Sequence, residues 1–340
     1  MTNEVSGQSS LLPWQQPQFQ RLQVLHSNRR LAHAWLLAGK PGIGKLAFAR
    51  HFARQLLCRK ATGKGPCGAC QDCHLFAAGT HPDWMLLQPE LRQLKIELIR
   101  EAIAFAQNTS QRGGAKVIII NPAESMNHNA ANALLKILEE PPPQTYLLLV
   151  SHQPGLLLPT LRSRCQRLDF PAPPTLEALA WLQQQPGASP GAAFHLQLAQ
   201  GAPLRAFELM QVGAEQGFGL LLQNLEAMAN GETTPVQAAK KCEELGITTT
   251  INYQLLGVSG LLSVLQAGSE LAVPALLPLL SRCNQVAGTG MIRRLHDYHQ
   301  SLVKARETSM ATNNANPQLM LEALFAEWCR VAPFNRIRTN

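Results

Sequence analysis

The chain has 340 residues, 46% of them hydrophobic and 15% charged, a balance that excludes a disordered or fibrous protein and leaves room for two or three domains. Its formal net charge of +8 permits contact with nucleic acid without requiring it, because the basic residues are scattered apart from small clusters at Arg29–Arg30, Arg293–Arg294 and Arg336–Arg338. No apolar run is long enough to span a bilayer, and residues 1–10 lack the basic-then-apolar pattern of a secretion signal, so a soluble cytoplasmic protein is expected.

In the first half, short apolar runs alternate with helical patterns. Residues 34–38 read as a buried strand. Residues 45–57 read as a helix, with Leu46, Phe48, Ala49, Phe52, Ala53, Leu56 and Leu57 on a broad apolar face. A second strand is expected at 84–87 and a second long helix at 95–107. The third strand, 117–120, has the β-branched content of a central position. The helix predicted at 129–139 must stop before the three prolines Pro141, Pro142 and Pro143. Strands at 145–150 and 165–170 complete the set. Such alternation implies βαβ units and a parallel sheet covered on both faces, hence an α/β domain over residues 1–170.

The Pro-rich stretch 171–174 reads as a linker. Beyond it the pattern is helical. Segments 176–185, 195–199 and 204–212 predict a small helical lid domain over 171–212. Longer segments from about Gly213, ending with 318–331, predict an all-α C-terminal oligomerisation domain over 213–340. The polar, Asn-rich stretch 308–316 reads as a loop. No fixed-period repeat is present.

Between the first strand and the next helix lies GKPGIGKL, residues 39–46, the G-x-x-x-x-G-K part of a phosphate-binding loop in its proper setting. Gly39, Gly42 and Gly44 would let backbone N–H groups curl around phosphates, the helix N-terminus adds a favourable dipole, and Lys45 would reach the terminal phosphates. Leu46, however, stands where a Ser or Thr hydroxyl would ligate Mg²⁺. The third strand runs into Asn121 and Pro122, where a carboxylate would hold the metal and position water, and Glu124 reads as too far along the turn to substitute. Little or no intrinsic ATPase activity is therefore expected, while weak binding of ATP or ADP at Gly39, Gly42, Gly44 and Lys45 is left open.

Of eight cysteines, Cys58, Cys67, Cys70 and Cys73 fall in one stretch with C-x8-C-x2-C-x2-C spacing, in a loop containing Gly63, Gly65, Pro66 and Gly68. Four thiolates suit tetrahedral Zn²⁺ and leave no open coordination position, so the expected zinc site is structural. His74 could compete as a ligand, but its adjacency to Cys73 makes that awkward. The other four, Cys165, Cys242, Cys283 and Cys329, are dispersed and read as buried thiols in a reducing compartment. His296 and His299 read as helix surface or packing, and Trp14 and Trp328 as core or interface residues. Leu319, Leu321, Leu324, Phe325 and Trp328 give the last helix more apolar surface than one face needs, which predicts packing against other subunits. LRSRC, residues 161–165, places Arg164 between the fourth and fifth strands. By itself this reads as a surface arginine, although a guanidinium near a sheet edge can reach a neighbouring subunit.

Taken together, HAWLLAG (33–39), the four-cysteine loop, GTHPD (79–83), GGAKV (113–117), NAANALLKILEEP (129–141) and LRSRC (161–165) resemble the clamp-loader branch of the AAA+ superfamily, and within it the delta-prime family of bacterial DNA polymerase III. NPQLMLEAL (316–324) is similar to that family's C-terminal collar. The resemblance implies a RecA-like AAA+ parallel-sheet domain, a helical lid and a helical collar. It also implies a stator subunit of the DNA-directed DNA polymerase holoenzyme that helps load the sliding clamp. Arg164, in the family's Ser-Arg-Cys motif, would act in trans on ATP held by an adjacent motor subunit, and Cys58, Cys67, Cys70 and Cys73 match the family's zinc ligands. Implied partners are the gamma/tau ATPase subunits, the delta subunit, the sliding clamp indirectly, and primer-template DNA through the assembly. The string 39–45 is closer to a working phosphate loop than a fully decayed subunit needs, and Arg205, in GAPLR (201–205), resembles the second-domain sensor arginine of active relatives. The alternatives are an autonomous AAA+ ATPase and a zinc-dependent DNA-binding module.

Overall fold

A computed structural model describes residues 11–63, 65–89, 93–187, 191–267, 276–285, 289–311 and 316–331. The chain divides into two compact units, Met1–Ala178 and Leu179–Asn340.

The first unit is built on five parallel strands: β1 (Ala34–Ala38), β2 (Trp84–Leu87), β3 (Lys116–Ile120), β4 (Thr145–Ser151) and β5 (Gln166–Asp169), in the order β2-β3-β4-β1-β5. Every residue of β1 and β3 is buried, as their unbroken apolar runs require of strands covered on both faces. In register, Leu36 lies beside Leu149 and Ile118 beside Leu147. Six helices pack around the sheet: α1 (Gln16–Ser27), α2 (Lys45–Leu57), α3 (Gln71–Ala77), α4 (Ile96–Gln107), α5 (His128–Glu139) and the single turn α6 (Pro159–Arg162). On one face, Ile99 and Ala102 of α4 and Leu134 and Ile137 of α5 join Leu36, Ile118, Leu147 and Leu149 in one core. Elsewhere, Phe48 of α2 meets Phe170 with ring centres 4.8 Å apart, and Phe19 of α1 lies edge-on at 6.5 Å. The Asn127 side chain caps α5 by accepting the Ala130 N–H at 2.9 Å.

Two elements depart from the sequence expectation. Helix α1 precedes the first predicted strand and α3 lies inside the expected cysteine loop. Helix α1 buries only Phe19 and Leu22, and α3 is under two turns long, so neither leaves a sustained apolar period. Lys116 opens β3 yet is 4% exposed; its ammonium donates to the carbonyls of Phe105, Ala106 and Asn108 and so closes the C-terminus of α4.

Helix α7 (Thr175–Gln183) begins in the first unit and runs into the second. It is followed by α8 (Ala192–Leu198), α9 (Pro203–Gln211), α10 (Ala214–Asn230), α11 (Pro235–Lys241), α12 (Ile247–Ala267), α13 (Leu277–Gln285), α14 (Thr289–Ala311) and α15 (Pro317–Val331). Gly213, with φ of 66°, makes the left-handed turn between α9 and α10, where the sequence placed the start of its third domain. The Tyr298 hydroxyl donates to Gln254 Oε1 at 2.9 Å and its ring lies 5.6 Å from Trp328, which ties α12, α14 and α15 together.

Residues 308–311 of the expected loop belong to α14, which continues through Ala311, and residues 312–315 lie outside the described residues. Thr308 and Ser309 donate their hydroxyls to the carbonyls of Lys304 and Arg306 at 3.0 and 2.8 Å, which lets polar residues sit in a helix. In α15, Leu321, Leu324, Phe325 and Trp328 are buried within this chain and Leu319 is 62% exposed, so the apolar excess reduces to Leu319. Arg29, Arg30 and Arg293 are exposed, whereas Arg336–Arg338 lie outside the described residues. Among the described residues no helix is long and apolar enough to cross a membrane.

Candidate phosphate loop, metal centre and arginine

The phosphate loop leaves the C-terminal end of β1. A side chain at Gly39 would place its Cβ 2.3 Å from the Phe170 carbonyl oxygen, so only glycine lets the exits of β1 and β5 pass. Gly42 and Gly44 adopt left-handed φ values of 75° and 87°, which turn the chain into α2. Below the loop, the fully buried Gln15 donates to the carbonyls of Gly44 and Ile43 at 2.8 and 3.2 Å, and Trp14 Nε1 donates to Ile43 at 3.1 Å. Trp14 thus buttresses the loop. This support was not legible in the sequence, because the residues lie 28 to 29 positions from their acceptors.

Lys45 is 2% exposed and folds back, donating to the carbonyls of Gly39 and Lys40, each at 2.6 Å. Burial pulls its pKa down to about 8, and the Glu124 carboxylate partly opposes that. Leu46, half-buried, offers no metal ligand, and Asn121 at the end of β3 brings an amide. Glu124 is nearer the site than its spacing implied. Its Oε1 accepts the N–H groups of His152 and Gln153 at 2.8 and 3.2 Å, so it anchors the exit of β4 and places its charge within reach of Lys45. His152 is held below its usual pKa by burial and by Lys45, with Glu124 opposing.

The four cysteines converge. Cys58 ends α2, Cys67 lies in the loop, Cys70 caps α3 and Cys73 sits in its first turn. Their sulfurs all lie within 4.8 Å of one another, with Cys58–Cys67 at 3.5 Å, Cys58–Cys70 at 3.8 Å and Cys67–Cys73 at 4.0 Å. A tetrahedral metal with bonds of about 2.3 Å needs sulfurs about 3.8 Å apart, so the set fits a metal ion. Backbone N–H groups, first that of Ala69, bring the Cys67 thiol down to about 6, while burial pushes Cys58 up to about 12. His74 is exposed and outside the cluster.

A polar clamp joins this centre to the sheet. Asp72, 2% exposed, accepts from Arg112 Nε at 2.8 Å and pairs with Arg59 Nε at 3.3 Å. The Asp83 carboxylate accepts from Ser110 Oγ and from the N–H groups of Gln111 and Arg112, each at 2.8 Å. His81 Nδ1 accepts the Asp83 N–H at 3.1 Å, and burial lowers its pKa. The Val117 N–H donates to the Asp83 carbonyl at 3.0 Å, so GTHPD and GGAKV are parts of one scaffold.

Arg164 follows α6. Its Nη1 donates to the Thr160 carbonyl at 2.9 Å and its Nη2 lies 2.5 Å from Glu139 Oε1, leaving the side chain 36% exposed. Cys165 packs on the core shared by α4 and α5, and burial pushes its thiol up to about 12. Arg205, on α9, forms an exposed pair with Glu208 at 2.8 Å.

The profile of a family described as "DNA polymerase III, delta subunit" matches residues 14–174. Over 326 residues the chain is 34% identical to the DNA polymerase III subunit delta-prime of Pseudomonas aeruginosa, covering 94% of this chain and 98% of that one. The chain belongs to the delta-prime family of DNA polymerase III. The Escherichia coli delta-prime subunit is 38% identical over 237 residues, 68% of this chain and 71% of that one. Among solved structures, a DNA polymerase III gamma subunit-related protein from Thermotoga maritima aligns over 92% of this chain and 99% of its own, with a TM-score of 0.45 and 19% identity. The profile match spans the phosphate loop, all four clustered cysteines and Arg164, and it ends four residues before the boundary of the first unit.

Proposed function

We propose that this chain is the stator of a bacterial clamp loader. It forms one interface of an ATP-driven assembly that loads the sliding clamp on primed DNA, without turning over ATP itself. The observation that carries the reading is the state of the phosphate loop: Lys45 is spent on the carbonyls of Gly39 and Lys40, and the two positions that would hold Mg²⁺ are Leu46 and Asn121. A nucleotide entering Gly39–Lys45 would have to detach Lys45 from those carbonyls, and it would find neither the hydroxyl at 46 nor the carboxylate at 121 that a Mg²⁺ site uses.

The chemical contribution is Arg164, offered across an interface to ATP held by a gamma/tau-type motor subunit, where a guanidinium stabilises charge developing on the transferred phosphoryl group. Cys58, Cys67, Cys70 and Cys73 would hold Zn²⁺, which supplies a closed four-thiolate crosslink there. Residues 1–170 act as the AAA+ domain, 171–212 as the lid, and those from 213 as the collar that assembles with the motor and delta subunits in the cytoplasm. Primer-template DNA is met through the assembly.

The test is reconstitution with motor and delta subunits and measurement of DNA-stimulated ATP hydrolysis. Arg164→Ala should lower the rate while the complex still assembles, and Lys45→Ala should leave it unchanged. An unchanged rate with Arg164→Ala removes the trans-acting role. Loss of hydrolysis with Lys45→Ala would make this chain a motor.

A further inference from the structure

Helix α5 ends at Glu139, followed by Glu140 and three prolines. A carboxylate in the last turn opposes the helix dipole, so helix stability does not account for Glu139. Capping does not require it either: His33 Nε2 lies 2.9 Å from the Leu138 carbonyl, and the Glu140 N–H donates to Lys136 at 3.1 Å. The contact that uses the Glu139 carboxylate is Oε1 to Arg164 Nη2 at 2.5 Å.

The guanidinium of Arg164 is thereby gripped at both terminal nitrogens by groups from two elements, Thr160 of α6 and Glu139 of α5. A guanidinium carries five N–H donors. These two contacts use one from each terminal nitrogen and leave three for another acceptor. Both side chains are well exposed, so the pair adds little to stability. What it settles is orientation: a long arginine side chain loses much rotamer freedom when it docks, and that loss is reduced if the side chain is already held. Both anchors sit on rigid parts of the scaffold. Helix α5 is packed through Leu134 and Ile137, and Leu161 of α6 is fully buried in the same core.

We propose that Glu139 is the positioning residue for Arg164, holding the guanidinium in the orientation in which it meets the phosphates of a nucleotide carried by a neighbouring subunit. This rests on the reading of Arg164 as trans-acting. Glu139 does not touch the nucleotide; it acts through the arginine.

The experiment is a double-mutant cycle in the reconstituted complex, reading DNA-stimulated kcat and KM for ATP, with assembly checked by sedimentation. The Arg164-dependent part of kcat is the difference between wild type and Arg164→Ala. Glu139→Ala should lower that part about two- to five-fold, at unchanged KM. Glu139→Gln, which keeps an acceptor oxygen, should recover part of it. In the Arg164→Ala background, Glu139→Ala should have no further effect. If Arg164→Ala lowers kcat and Glu139→Ala does not, or raises it, the positioning role is overturned. An equal loss from Glu139→Ala in both backgrounds also overturns it, because Glu139 would then act on the fold. If Arg164→Ala itself changes nothing, the failure lies with the trans-acting reading.

Discussion

A single ammonium group shows how the loop at 39–45 engages its own carbonyls. Lys45 is buried among backbone carbonyls, and its pKa of about 8 lies below that of a free lysine. Below pH 8 the group is charged in both folded and unfolded chains, and the folded state bears the full cost of burying it. As pH rises from about 8 towards the ordinary lysine value, the unfolded chain holds more protons than the folded one, so this group's contribution makes the fold more stable with rising pH. Lys45→Met should therefore raise the unfolding temperature at pH 7, corresponding to about 1–2 kcal/mol, and the gain should shrink by pH 10. Thermal melts of both proteins across that range check it; a gain independent of pH would mean that the charge is not what burial penalises. The motif string announced the glycines and the lysine. It could not announce where the lysine points, because Gly39 and Lys40 offer carbonyls in any sequence.

Among the elements, the short helix α3 carries the most consequence for its size. It brings Cys70 and Cys73 to the cysteine cluster and turns Asp72 inward onto Arg112, a residue 40 positions away. Chelation of the metal-loaded protein should release about one zinc per chain and lower the unfolding temperature. Arg112→Ala should leave the buried Asp72 with only the mostly exposed Arg59 as a close guanidinium partner, cost about 1–3 kcal/mol and speed release of the metal to a chelator. Metal content by absorbance of a chelator dye, followed over time, reads both. Release at the wild-type rate would show that the clamp and the metal centre are independent. The cysteine spacing was enough to foresee the cluster, since four thiols so close in sequence have few other uses. The clamp was hidden because its members occur in separate segments and each, alone, is an ordinary surface residue type. Strands β1 and β3 were legible for the opposite reason, as their burial on both faces writes an unbroken apolar run. The loop expected at 308–316 misled over 308–311 because Thr308 and Ser309 satisfy their hydroxyls on the helix they belong to.

At the scale of the whole molecule, the first unit is a sheet-based domain and the second is helical throughout its described residues. The isolated chain, purified with zinc and supplied with Mg²⁺ and ATP, should release phosphate at the background rate, and Lys45→Ala should not alter that trace. Sustained turnover abolished by Lys45→Ala would favour the autonomous ATPase over the stator. The division of labour between sheet and helices was readable from the switch in period near residue 170. The expected division at Gly213 coincides with a left-handed turn between α9 and α10.

The close pass between Gly39 and Phe170 links the phosphate loop to the strand that follows Arg164. Strand β5 starts two residues after Arg164 and finishes where the Phe170 N–H donates to Ala38 at 2.8 Å, hard against the glycine that opens the phosphate loop. Arg164 is thus joined to the phosphate loop by four extended residues at the edge of the sheet, paired along their length to β1. The strand ends against a loop already clamped by its own lysine and by Gln15 beneath it. In the stator proposed above, the strand would serve as a guy line pegged at its base, keeping the outer tip in place while the neighbour moves.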